Sequence, residues 1–291
     1  MIDARDTALV IEGGGTRNSY TAPVIIKLIE ESVQFGWVGG VSAGAIHSVN
    51  FLSGDAERTR EAFTTFMGHP KIGGLRSLAL GRGLLNAEFM FQDRGGELPF
   101  NMDAFKQAET PLHIEAVRAD TGESVAWHNE ELFDEDFMNL VIRASSTMPM
   151  LMPMAHIDGV PYVDGALGDG GGLVIDAAEQ AGFKKFLVLG TKDRDYAREP
   201  VNRPAMIRRM FPKYPEVARR TIERPDKYNR AKDRIVELEN AGNAYAFFPE
   251  NMMVENAEFK VHKLEKNFAA GEEQLEREWP AMKAFLEGSG A

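Results

Sequence analysis

The chain has 291 residues, 44% apolar and 26% charged, with a formal charge of −11 and no cysteine. That length can bury one large domain, with or without a smaller appendage. The missing cysteines exclude disulfide frameworks, thiolate metal sites and cysteine nucleophiles. No apolar run reaches the ~18–20 residues needed to span a bilayer. The charged start, Met1-Ile2-Asp3-Ala4-Arg5-Asp6, has no apolar signal core behind it, so a cytoplasmic location is expected.

Residues 7–11 form an apolar, β-branched run of strand length, followed at once by Glu12-Gly13-Gly14-Gly15-Thr16-Arg17-Asn18. Residues 19–31 have helical spacing through Val24, Ile25, Leu28 and Ile29. A short strand is predicted over 35–41. It runs into Gly40-Val41-Ser42-Ala43-Gly44, with a helix over 43–52 behind it. The opening is therefore a βαβ unit of a parallel sheet, with both Gly-rich loops at the carboxyl ends of strands, where open α/β sheets hold ligands.

Gly40-x-Ser42-x-Gly44 fits a nucleophile elbow, a sharp strand-to-helix turn with serine at its apex and small neighbours at Gly40 and Gly44. An ordinary Gly-rich turn has the same spelling. The Gly13-Gly14-Gly15 loop lacks the Gly-Lys-Ser/Thr of a P-loop, and Asn18 stands where a dinucleotide fingerprint needs glycine. A loop of bare amides facing an oxyanion remains, beside a plain tight turn.

Further along, a helix is predicted over 54–67. Residues 68–96 are rich in Gly and Leu, which suits an apolar flap or an irregular loop packed on the core. Strands over 111–117 and 123–128 flank a turn at Asp120-Thr121-Gly122, and 133–147 reads as a helix. Met148, Met150, Leu151 and Met152 sit on a loop broken by Pro149 and Pro153, where flexible side chains can line an acyl pocket or fill a core. A hairpin with an Asp158-Gly159 turn ends at Asp164, a carboxylate delivered to a strand end. A helix over 173–181 and a strand over 185–190 complete the body.

The remainder changes character. Between 192 and 234 there are fourteen Lys and Arg against seven Asp and Glu. This basic segment suits an ion-paired helical face, or peripheral contact with an anionic membrane surface. No recognition motif accompanies it, so nucleic acid is not an expected partner. A charged helix over 227–239, strands over 244–248 and 259–264, and a closing helix over 272–286 are expected.

A serine needs a base. His47, His69, His113, His128 and His156 have no supporting pattern. His262 would fit a Ser–Asp–His order, but Ser42 follows only the second strand, which is early for that arrangement. A buried aspartate whose pKa is raised can serve instead, and Asp164 is placed for it.

Gly13-Gly14-Gly15-Thr16-Arg17, Gly40-Val41-Ser42-Ala43-Gly44 and Asp164-Gly165-Ala166, with Ala144-Ser145-Ser146-Thr147-Met148-Pro149 before the aspartate, resemble the patatin-like phospholipases in order and spacing. The resemblance implies a three-layer α/β fold with a mainly parallel sheet flanked by helices. It places the acyl hydrolase domain at 7–192, with a smaller α+β C-terminal extension over 193–291. It implies Ser42 as nucleophile and Asp164 as base, acting on lipid or ester substrates without metal or cofactor. The oxyanion hole would come from Gly13, Gly14 and Gly15, with Thr16 and Arg17 beside them and the Ala43 N–H by elbow geometry. Asn18 and Ala166 depart from the family's usual glycines. A catalytically silent lipid-binding module and an acyltransferase using the same serine are the alternatives.

Overall fold

The computed structural model describes residues 1–73, 81, 83–91 and 97–288. β1 (Ile2–Ile11) is followed by a 3₁₀ turn (Gly15–Ser19), α1 (Ala22–Glu30), β2 (Val33–Gly40), α2 (Ala43–Leu52) and α3 (Ala56–Phe63). α4 (Ala87–Phe91) and α5 (Met102–Gln107) lead to the hairpin of β3 (Leu112–Arg118) and β4 (Ser124–Trp127). α6 (Glu135–Ser145), β5 (Ala155–Ile157), β6 (Val160–Asp164), α7 (Ile175–Gln180) and β7 (Lys185–Leu189) follow. The last third supplies α8 (Pro204–Met210), α9 (Pro215–Asn240), β8 (Ala244–Phe247) and α10 (Val261–Leu286). Much of the expected flap over 68–96 lies outside the described residues.

All eight strands join one sheet, in the order β5-β6-β3-β2-β1-β7-β8 with β4 paired to β3. β1 is central, and parallel to both β2 and β7. Its Thr7–Ile11 end is buried on both faces, as a strand covered by helices on each side must be. Leu9 and Ile11 face a core shared with α1, α2, α6 and α10. Ala8 and Val10 face a second core shared with α7 and α9. That alternation defines the three layers.

Local chemistry sets many boundaries. Asp55, Asn101 and Asp134 cap α3, α5 and α6 by accepting backbone N–H bonds of 2.9, 3.1 and 2.8 Å. Asp158 and Gly159 both take positive φ, 50° and 79°, which a tight two-residue hairpin turn requires. β5 and β6 pair antiparallel across it.

The last third departs from expectation in two places. The charged helix expected over 227–239 begins earlier, at Pro215, and a further helix spans Pro204–Met210, because Pro204 and Pro215 sit in the first turns of α8 and α9, where a missing N–H costs nothing. The strand expected over 259–264 is instead the entry to α10. Leu264, Phe268, Leu275, Met282 and Leu286 are buried at helical spacing, so one continuous face outweighs the short β-branched run at its start. β8 lies parallel to β7 and extends the sheet.

α10 docks on the 3₁₀ turn that follows the glycine loop. Asn267 Nδ2 donates to Ser19 Oγ (2.9 Å), and Tyr20 Oη donates to Gln274 Oε1 (2.7 Å). A Cβ on Gly271 would sit 2.0 Å from the Tyr20 carbonyl oxygen. Gly271→Leu is therefore expected to destabilise the protein by about 3 kcal/mol, at the upper end of ordinary overpacking costs. A shift in the urea unfolding midpoint would measure it.

Candidate active site

Two strand ends meet on one edge of β3. β2 runs parallel to it, with Gly40 opposite Ile114. β6 runs antiparallel to it, with Asp164 opposite Ala116. The other edge of β3 is occupied by β4, which pairs with the same two residues, Ile114 and Ala116. The carboxyl ends of β2 and β6 therefore point at each other across Glu115. Ser42 lies just past one end, and Asp164 is the other.

Ser145, the last residue of α6, fills the junction. Its hydroxyl donates to the Glu115 carbonyl (2.7 Å) and accepts the Ser42 N–H (2.9 Å). One side chain thus satisfies two backbone groups that the interrupted ladder would leave unpaired.

Ser42 adopts φ 56° and ψ −125°, a strained conformation for a residue with a Cβ. Its neighbours explain how the turn closes. A Cβ on Gly40 would lie 2.6 Å from the Gly44 backbone, and one on Gly44 would lie 2.3 Å from the Ile11 carbonyl oxygen. The side chain of Ser42, at the N-terminus of α2, is 7% exposed and lines the same cavity as the Asp164 carboxylate. Asp164 Oδ1 accepts the Ala166 N–H at 2.8 Å. Burial pushes the Asp164 pKa up; the Arg224 charge, the Ala166 N–H, Ser42 and Arg198 oppose that rise without cancelling it.

The glycine loop sorts its amides. The Gly13 N–H donates to the Gly172 carbonyl (3.3 Å), Thr16 to Asn256 (3.1 Å) and Arg17 to Gly14 (3.2 Å). The N–H groups of Gly14, Gly15 and Ala43 have no acceptor among the described residues. Of the six residues expected around an oxyanion, these three hold free backbone donors. The loop tolerates no side chain: a Cβ on Gly14 would meet Thr191 Oγ1 at 2.5 Å, and one on Gly15, at φ +56°, would meet the Asn256 carbonyl oxygen at 2.1 Å.

Ser42 stands between two cavities of opposite character. On one side is a narrow apolar slot of about 60 Å³, walled by Ile46, Phe63, Met67, Phe91, Met148 and Met152. On the other is a polar bowl of about 270 Å³, lined by the glycine loop, Asp164, Arg17, Lys192, Arg198 and Arg224. Of the four loop residues expected in an acyl pocket, Met148 and Met152 line the slot. Met150 is 65% exposed, and neither it nor Leu151 contributes to the slot wall.

No histidine lines either cavity. His47 is fully buried against Asn18 O (3.0 Å) and Phe63, and burial pulls its pKa down to about 3, leaving a neutral structural ring. His262 is exposed on the first turn of α10. Among the described residues no cluster of three His, Asp or Glu side chains could hold a metal, and no helix is long and apolar enough to cross a membrane.

Sequence reasoning missed the Ser145 bridge, the Asn256 contact and three cations of the bowl, Lys192, Arg198 and Arg224. The last group left only a compositional trace, the excess of Lys and Arg over 192–234. Asn256 acts through its backbone and left none.

A serine at a strained strand-to-helix turn in a three-layer α/β fold points to a class, and comparison with known proteins shows the family. The model of the patatin-like phospholipases matches residues 9–175, more than half the chain, and the protein belongs to that family. Residues 214–287 match a domain of unknown function, DUF6363. An uncharacterised protein of Escherichia coli K12, YjjU, is 24% identical over 196 residues, 63% of this chain and 51% of that one. The chain thus spans about half the length of this curated relative. The crystal structure of VipD from Legionella pneumophila shares the fold at a TM-score of 0.52 and 10% identity, covering 98% of this chain and 67% of that one.

Ser145→Ala would strand the buried Ser42 N–H and the Glu115 carbonyl. It is expected to cost about 1–3 kcal/mol of stability, the usual penalty for orphaned buried groups, read from denaturant unfolding.

Proposed function

We propose that the protein is a serine acyl hydrolase of lipid carboxylic esters. The observation that carries the reading is that Ser42, at its strained turn, and the buried Asp164 carboxylate line one cavity beside three free amides, with an apolar slot on the other side of the serine.

In the proposed reaction the acyl chain enters the slot, which sets its carbonyl carbon before Ser42 Oγ. Asp164 takes the hydroxyl proton as Oγ attacks. Negative charge grows on the carbonyl oxygen, where the N–H groups of Gly14, Gly15 and Ala43 receive it, aided by the N-terminus of α2. The tetrahedral adduct collapses, Asp164 protonates the departing alcohol, and an acyl ester remains on Ser42. Water then attacks that ester and gives its proton to Asp164. The second adduct expels Ser42 Oγ, which recovers the proton as the fatty acid leaves. No histidine is required, because burial has already moved the carboxylate toward the basicity the task needs.

Ser42→Ala is expected to abolish hydrolysis of a p-nitrophenyl acyl ester and labelling by a fluorophosphonate probe, with the circular dichroism spectrum unchanged. Labelling or turnover that survives the substitution would end the assignment. Gly14→Ala should lower kcat about 10²–10³-fold, the scale of a lost oxyanion donor.

The pH dependence follows from the raised pKa of Asp164. The base acts ionised, so kcat/KM should fall as pH drops through a value above the ordinary carboxylate range. The same group binds its proton more tightly in the folded chain than in the unfolded one. Its contribution to stability is thus full below the unfolded pKa and lost as pH rises through the folded one. At neutral pH Asp164→Asn should remove activity and raise the melting temperature, and calorimetry would read the second effect.

A further inference from the structure

The polar bowl is not needed to explain ester cleavage as such, yet it is built with unusual care. Arg17, Lys192, Arg198 and Arg224 line it, and none of them forms an ion pair among the described residues. Their surroundings make this a contrast rather than a norm. On the same α9 helix, Arg219 pairs with Glu216 and Glu223, Arg220 and Lys227 with Asp169, and Arg234 with Glu179. Arg194, two residues beyond Lys192, pairs with Glu239. Several neighbouring basic side chains are thus ion-paired, and the four that line the bowl are not.

The cations are also held in place. The Arg198 backbone is clamped on both sides by Asn229, which accepts its N–H (2.8 Å) and donates to its carbonyl (3.0 Å). Its guanidinium stacks 4.7 Å from the Tyr228 ring. Arg224 Nε donates to the Gly171 carbonyl (3.2 Å). Arg17 is 6% exposed, and its Nε, like that of Arg198, is buried with no acceptor. Burying donors without acceptors is costly unless a ligand supplies them. Among the described residues, the carboxylates lining the bowl are Asp164 and Glu255. Burial and mutual repulsion pull the Arg224 pKa down to about 10, so it stays cationic at neutral pH.

We propose that this bowl binds a phosphate monoester carried by the leaving alcohol, so that the enzyme selects acylated glycerol phosphates over uncharged acylglycerols. The inference rests on the Ser42–Asp164 reading for its orientation, acyl chain in the slot and leaving group in the bowl. The chemistry fits: a phosphate carries close to two negative charges and several acceptor oxygens, and guanidinium forks match it. The bowl, at about 270 Å³, has room for a glycerol phosphate. Lys192, Arg198 and Arg224 lie beyond the segment that matches the family model, so three of the four selecting charges come from the last third of the chain.

The test separates the two readings. Ser42-dependent cleavage of an uncharged p-nitrophenyl ester reports on the dyad alone. Kinetics on 1-acylglycerol 3-phosphate, 1-acylglycerol and 1-acylglycerophosphocholine of one chain length report on the bowl. We expect the phosphate monoester to lead in kcat/KM by at least about tenfold, with the advantage shrinking as salt rises from 50 to 500 mM. Arg198→Gln and Arg224→Gln should each reduce the ratio of phosphate to uncharged ester about tenfold, the scale of one charge-assisted hydrogen bond. Arg219→Gln, ion-paired and off the bowl, should leave it alone. Calorimetric titration of glycerol 3-phosphate into the Ser42→Ala protein provides a readout without turnover, with binding weakened by the same two substitutions. Equal or better turnover of the uncharged or phosphocholine ester, or no glycerol 3-phosphate binding, overturns the proposal even if the p-nitrophenyl ester is cleaved.

Discussion

The whole site depends on an interruption in one sheet edge. β2 and β6 share an edge of β3 from opposite directions, and each stops before reaching the other. Had either strand continued, Ser42 or Asp164 would be locked into a ladder with its side chain aimed at a packed layer. The break leaves a small uncovered length of β3 at Glu115, and a single hydroxyl, from Ser145, closes it. Two functional groups more than a hundred residues apart in sequence are therefore fixed by backbone register rather than by flexible contacts. Register is a stiff constraint, because a slip of one residue would turn every side chain to the other face.

Electrostatics around that break is a compromise. A buried carboxylate resists ionisation, and a cluster of unneutralised guanidinium groups resists being assembled. Placed together, each eases the other: Arg224 and Arg198 favour the charged form of Asp164, and Asp164 moderates the loss of basicity at Arg224. Burial still holds the Asp164 pKa above the ordinary carboxylate range, and Arg224 stays cationic at neutral pH. The apolar slot on the other side of Ser42 has no such groups, so the serine marks a boundary between two solvents within a few ångströms.

Much of the body was legible because its signals are local. Thr7–Ile11 reads as a buried strand from five consecutive residues. Gly40 and Gly44 read as an elbow because close approach forbids larger ones, and the structure supplies the clashing atoms. Asp158-Gly159 announces its turn through the φ values it must adopt. The last third was harder. Pro204 and Pro215 look like breakers but sit where helices accept them, and Val261 opens a helix whose character is set by residues up to 25 positions later. At the site, Ser42 and Asp164 were legible from type and position. Ser145's bridge was not, since it depends on where β3 lies, and nothing in the letters of Asn256 tells that its carbonyl will cap Thr16. Met150 and Leu151 shared the chemistry of their neighbours but not their direction.

The grip of residue 256 on the glycine loop has an implication for biosynthesis. The Asn256 carbonyl takes the Thr16 N–H, the Thr16 hydroxyl donates to the Glu255 carbonyl at 2.8 Å, and α10 then clasps the turn behind them. The turn at Thr16 is thus braced by residues some 239 positions further along the sequence. A half-made chain would carry the serine and aspartate without the brace that aims its amides. The proposed lipid-cleaving centre would thus ripen only once this distant brace is in place.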